Sequence, residues 1–182
     1  VKALTLTQPW ATLIAIGAKQ IETRSWTTRY RGPLAIHAGK GLGPVGGSVG
    51  LWNRCAEPLF FRALEPYYRV THLRLGDPPA LIDCIDVTDL PLGAIVAVAE
   101  LVDCWPITDE PRVRPIRHND TWLSYHIPPE EPERAFGDYS PGRYAWLLAD
   151  VRPLAVPVPA RGAQGLWDLP VDVAALIAEE GL

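Results

Sequence analysis

Lys19, Glu22 and Arg24 are the residues whose types and spacing best suit chemistry. They lie in the run Gly17-Ala18-Lys19-Gln20-Ile21-Glu22-Thr23-Arg24. Ile21, Thr23 and Ser25 alternate with Glu22, Arg24 and Trp26, and a period of two predicts a strand with the second set on one face. Lys19 falls on the turn just before it. Two cations flanking one carboxylate suit an anionic or strongly polar ligand. The carboxylate can also accept hydrogen bonds from amino groups such as those on a base edge. The competing reading is an ion pair on an exposed edge strand, worth under about 1 kcal/mol.

Other side chains offer less specific chemistry. Trp10, Trp26 and Trp146 have faces on which bases can stack, at roughly 1–3 kcal/mol per base, although a Trp is more often packing. Trp26 has the parity of Glu22 and Arg24 and is the preferred stacker. Arg29 and Arg31 suit phosphate contacts. His37, His72, His118 and His126 have no neighbour at ligand spacing, so no metal and no cofactor is expected. Ser25 and Ser140 lack identifiable His and Asp partners for a triad. The Gly41–Gly46 stretch formally matches GxGxxG, but Pro44 sits inside it and no helix is predicted to open from it, so a loop is the reading.

The charge is unevenly spread. The chain carries −4 overall, which argues against a general polyanion binder. The first 40 residues hold six bases against one acid, while the other 142 hold eleven against twenty. A basic block on an acidic body points to a local anion site. The three cysteines, Cys55, Cys84 and Cys104, are far apart, odd in number and without metal-ligand spacing, and read as reduced thiols. No apolar run reaches about 18 residues and no charged-then-apolar leader is visible, so a cytoplasmic, non-membrane protein is expected.

The elements that must position these residues are short. Val1–Leu6 reads as a strand. Pro9 fits the first position of a helix over 9–16, with Thr7 or Gln8 as cap and Gly17 as the stop. Leu34–Ala38, Gly93–Cys104, Tyr144–Ala149 and Leu154–Val158 read as strands. The small Ala residues of Gly93–Cys104 suit a tightly curved wall. Residues 51–68 read as helical pieces broken by Pro58 and Pro66, Asp77-Pro78-Pro79 as a turn, and 106–141 as a polar surface excursion. Val171–Glu180 reads as a terminal helix. No βαβ alternation or internal repeat is present. Nineteen prolines agree with this inventory of short elements. The expectation is a mainly β barrel with α decoration.

Gln8-Pro9-Trp10 and the GxKxxExR string resemble the ASCH family, the activating-signal-cointegrator homology domains. So do Tyr30–Ala38, Gly93–Cys104, Gly142–Trp146 and Gly165-Leu166-Trp167, in the expected order. The resemblance implies one PUA-like barrel domain over 1–182, with insertions at about 41–90 and 106–135. It implies about six strands and a cleft floored by the GxKxxExR residues. The family is associated with RNA, with coactivator proteins and, in one branch, with hydrolysis of N(4)-acetylcytidine. Those amidohydrolases are similar at Gly17, Lys19 and Arg24 but carry a Thr nucleophile, with the Lys as its base, where this chain has Glu22. Glu22 can instead activate a water. Thr23 has the hydroxyl but the wrong strand parity; that branch also has a carboxylate partner in a segment that does not align, a role that would fall to Glu100.

The expected function is therefore binding of single-stranded or modified RNA nucleotides. Lys19 and Arg24 would hold phosphate or base acceptors, Glu22 would read an amino group, and Trp26 would stack. Trp10, Arg29, Arg31 and Tyr144 would line the cleft, with Arg143 beside Tyr144 helping to close it. The rival is an amidohydrolase for N(4)-acylated cytosine nucleosides using Lys19 and Glu22. A third class is a protein-interaction domain using the acidic insertion, which no single residue supports.

Overall fold

The computed structural model describes residues 1–41, 47–75 and 80–179. Six strands form one sheet: β1 (Lys2–Leu6), β2 (Ile21–Arg24), β3 (Gly32–Ala38), β6 (Ala94–Pro106), β9 (Tyr144–Pro159) and β10 (Leu166–Asp168). Their order is β10-β1-β3-β6-β9-β2, with β1 and β3 parallel and every other pair antiparallel. The long strands β6 and β9 pair through three register shifts, between Ile95 and Ala97, Val98 and Glu100, and Leu101 and Asp103. Each shift adds local twist and bends the strand, so the sheet curls into a half-barrel. What sequence periodicity divides into Tyr144–Ala149 and Leu154–Val158 is one sixteen-residue strand running through these irregularities.

The curled sheet is buried on both faces, which explains the near-continuous apolar run of β6. Inside the curl, helix α1 (Trp10–Ala15) packs Ala11 and Ile14 against Leu34, Ile36, Ala99, Trp146 and Leu148. Outside it, α4 (Val171–Glu179) places Val173 and Ile177 on Ala35, Ile95, Leu154 and Val158. Pro9 caps α1 rather than opening it, and the Gln8 side-chain oxygen accepts the Thr12 N–H at 3.2 Å. Gly17, at φ +78°, ends the helix in the left-handed region that favours glycine.

The two regions expected as insertion and excursion hold more strand than their sequences suggest. Helices α2 (Gly47–Ala56) and α3 (Pro58–Leu64) are followed by a hairpin, β4 (Val70–Leu75) with β5 (Ala80–Ile85). Helix α2 opens directly after the glycine-rich string, contrary to the expectation that no helix follows it. Residues 42–46, and the turn expected at 77–79, lie outside the described residues. Within 106–141 a second hairpin forms, β7 (Arg112–His118) with β8 (Thr121–Ile127). Its Tyr125 and Ile127 pack on Ile21, Ala145 and Leu147, so this stretch is anchored to the half-barrel. All three cysteines are free, two of them buried.

One charged cluster ties the second hairpin to the sheet. The Asp103 carboxylate accepts from Arg31 Nη2 at 2.6 Å, Arg114 Nε at 2.7 Å and the Cys104 amide at 2.8 Å. Burial pushes its pKa up, and the hydrogen bonds from Arg114, Cys104 and Arg31 overcome this and hold it below the usual carboxylate range. The cluster's stabilisation is present above the unfolded carboxyl's pKa near 3.8 and is lost as pH falls through the lower folded value. Asp103→Asn is expected to cost about 1–2 kcal/mol at pH 7, because both arginines are more than a third exposed. Urea titrations at pH 7 and pH 3 should show the difference narrowing in acid.

Candidate functional site

The half-barrel leaves a seam. Strand β2 ends the sheet on one side, and β1 lies near the other, beside the three-residue β10. Arg24 on β2 reaches across it, its Nη2 donating to the Thr5 carbonyl of β1 at 3.0 Å. A cleft of about 500 Å³ opens along this seam, lined by Thr5–Thr7 on one side, Glu22–Arg24 on the other, and Trp10, Arg54 and residues 135–138 and 143 around them.

Glu22 is held from both sides. Its Oε1 lies 3.2 Å from Arg24 Nε and its Oε2 lies 3.5 Å from Lys19 Nζ. Although β2 is an edge strand, Glu22 is only 8% exposed, so the cluster is not a solvated surface pair. The contact with Arg24 Nε lacks hydrogen-bond alignment, and that buried N–H has no partner among the described residues. Lys19 is fully buried beneath the cleft, with Nζ donating to the Ile21 carbonyl at 2.5 Å. Burial drives its pKa down against the pull of Glu22 and then Glu133, and the net position is below the ordinary lysine value. Lys19 thus fixes the Glu22 carboxylate from below rather than facing a ligand.

Glu133, on the 3₁₀ turn Glu133–Phe136, belongs to no motif in the sequence. Its Oε1 accepts the amides of Gln20 and Ile21, each at 2.5 Å. Burial pushes its pKa up, and those two amides and Lys19 pull back only in part. It lines a separate hollow on the far side of β2. Tyr139 lies near both carboxylates; burial, Glu133 and Glu22 all push its hydroxyl pKa up, and that oxygen has no partner among the described residues. No local spacing could reveal Glu133, because the turn that carries it meets β2 from 112 residues away.

Of the predicted site residues, the cleft gathers Trp10, Glu22 and Arg24, with Lys19 underneath. Arg143, expected at the closing edge, lines it too; its Nη2 donates to the Thr23 carbonyl at 3.2 Å and its Nε stands 3.3 Å from Asp138. The Thr23 hydroxyl accepts the Asp138 amide at 3.1 Å and is committed to that segment.

Trp26, Tyr144, Arg29, Arg31 and Glu100 are not on the cleft wall. Strand β2 ends at Arg24, so the parity argument does not extend to Trp26. Trp26 packs edge-on against the buried Trp146, with ring centroids 4.6 Å apart. Trp146 itself has no exposed face on which a base could stack. Arg31 is engaged with Asp103. Glu100 sits on β6 opposite Pro33 and Ala149, with β9 between it and β2. Tyr144 packs against the half-barrel core.

Of the aromatic side chains expected at the cleft, Trp10 is the one it holds. It is half-buried, edge-on to Phe60, and has the Arg54 guanidinium 5.7 Å from its ring. Arg54 comes from α2 and was invisible to motif spacing. The cleft's cations are each matched by an acid: Arg24 by Glu22, Arg54 by Glu57 and Arg143 by Asp138. Among the described residues, no group of His, Cys, Asp or Glu side chains is arranged to hold a metal ion, and no helix is long and apolar enough to cross a membrane.

A mostly β, curled six-stranded sheet with short helices and a polar seam defines a PUA-like half-barrel. The chain belongs to the ASCH domain family, whose model matches residues 4–157. It is 31% identical over 101 residues to activating signal cointegrator 1 of Mus musculus, a stretch covering 56% of this chain and 14% of that protein. The chain thus spans a small part of that relative's length. ASCH domains are generally linked to RNA binding.

Proposed function

We propose that the protein binds RNA, taking one or a few unstacked nucleotides of a single strand into the seam cleft, modified bases included. The observation that carries this reading is the Glu22 carboxylate, present on the cleft wall and fixed by Arg24 and Lys19. A rigidly held carboxylate suits the exocyclic amino group of cytosine or adenine. Trp10 offers a ring beside it. The near-balance of acids and bases in this cleft favours reading of a neutral base edge over capture of a bare anion. The test is titration of the chain with short single strands and with duplex of the same sequence over a range of salt. Single strands should bind, more weakly as salt rises; no measurable affinity at low salt rejects the reading.

A second reading, hydrolysis of N(4)-acylated cytosine nucleosides, draws on one observation: the buried Lys19, with its lowered pKa, lies among Glu22 and Glu133. Since Lys19 Nζ is buried and donates to a backbone carbonyl, water activation in this scheme falls to Glu22. N(4)-acetylcytidine should then release acetate over many turnovers, and Glu22→Gln should stop it. Equal release by wild type and Lys19→Ala dismisses this scheme.

A further inference from the structure

We propose that the bound strand continues past β1 into a second cleft, where Lys40 and Arg161 hold a phosphate of its backbone. This inference rests on the RNA reading above and adds a subsite to it. The second cleft, of about 920 Å³, shares Thr5 and Thr7 with the first, so the two meet across the end of β1. Its charge is of a different kind. Lys40 and Arg161 line it and no Asp or Glu does. Neither cation has an ion-pair partner among the described residues, whereas each cation of the first cleft has one. An acid-free cleft with two unmatched cations, continuous with one that suits a base edge, fits the alternation of base and phosphate along a strand.

The backbone that carries or underlies each cation is closely packed. The Lys40 stem lies over Gly93, where a Cβ would come 2.7 Å from both its Cγ and its Cε. Arg161 sits on the segment crossing the buried His37, whose Nε2 lies 3.1 Å from the Ala160 carbonyl oxygen. Gly162 lies so close that an added Cβ would stand 2.6 Å from His37 Nδ1 and 2.8 Å from Thr5 Oγ1. That Nδ1 is buried and has no hydrogen-bond partner among the described residues. The Arg161 backbone therefore rests on a packed ring, and the side chain itself is exposed. Lys40 is exposed too, so both residues can be replaced with little risk to folding.

The experiment compares wild type, the Lys40→Ala/Arg161→Ala double variant and a charge-matched Arg62→Ala/Arg152→Ala control, whose residues are exposed and line neither cleft. Each is titrated with cytidine and with a short single-stranded RNA carrying either a 5′-hydroxyl or a 5′-phosphate. The double variant should bind both RNAs about tenfold or more weakly and lose about 1 from the slope of log affinity against log salt. Its affinity for cytidine, and all affinities of the control, should stay at the wild-type value. Weakening confined to the 5′-phosphorylated RNA overturns the backbone-phosphate subsite, because the cations then hold a terminal phosphate instead. RNA affinity and salt slope equal to the control's overturn the subsite while leaving RNA binding intact. An equal loss for cytidine overturns it as well, because the two clefts would then not be separable. A wild type that binds neither RNA nor cytidine removes both proposals.

Discussion

Glu22→Gln is expected to weaken binding of a cytosine-containing single strand by roughly 10- to 100-fold, the equivalent of about 1.5–3 kcal/mol for a hydrogen bond to a charged group. Glutamine keeps the volume and one acceptor oxygen but removes the charge that Arg24 at 3.2 Å and Lys19 at 3.5 Å both address. It also offers an amide N–H₂ where a base amino group would have to donate. Equal affinity of variant and wild type for such a strand, with the fold intact by circular dichroism, would sink the base-reading role.

The same substitution should leave a signature in stability. It removes the nearest counter-charge of the buried Lys19, which in other proteins costs about 3–5 kcal/mol. The cost here should fall below that range, because Lys19 already has a depressed pKa and can shed its proton. Between the lowered folded pKa and the unfolded value near 10.5, the unfolded chain holds more protons than the folded one, so stability rises with pH across that window. Losing Glu22 widens the window downwards. Urea titrations should therefore show the largest deficit of Glu22→Gln near neutral pH and a smaller one near pH 10.

Trp146→Ala is expected to cost about 3–5 kcal/mol and to lower the thermal midpoint by about 10 °C. The ring is fully buried and packs edge-on to Trp26, and its indole N–H donates to the Trp26 carbonyl at 3.2 Å. It also stands opposite Glu22 in the β2–β9 register, so its cavity opens beside the site, on the same face of the sheet. Trp26→Ala separates packing from recognition. It should lower stability by about 1–2 kcal/mol and leave RNA affinity within about twofold. A large loss of affinity at unchanged stability would restore Trp26 as a stacking residue.

Much of the architecture could be read from local pattern. The alternation in Lys2–Leu6, the proline and glycine bracketing α1, and the apolar run of β6 are short-range signals, and each element formed where its pattern placed it. Neither hairpin is legible in local pattern. In β7, Arg112, Arg114 and Pro115 hide an alternation that only packing on β2 and β9 makes sense of. In β5, Asp83 and the Asp86 that follows the strand make the stretch look polar, yet Cys84 and Ile85 between them are fully buried.

The sequence by itself determined the local triplet: which face of β2 carries Glu22 and Arg24, and that Lys19 precedes it. Strand parity and a helix stop are properties of neighbouring residues, so a few positions suffice to specify them. Tertiary structure alone decided that Lys19 sits under the cleft, that Arg54 joins Trp10 on its wall, that Glu133 stands behind Lys19, and that Trp26 belongs to the core. Those placements depend on how far the β6–β9 bulges curl the sheet and on chain segments that meet from a hundred or more residues apart, and such contacts leave no periodic trace in the residues that make them.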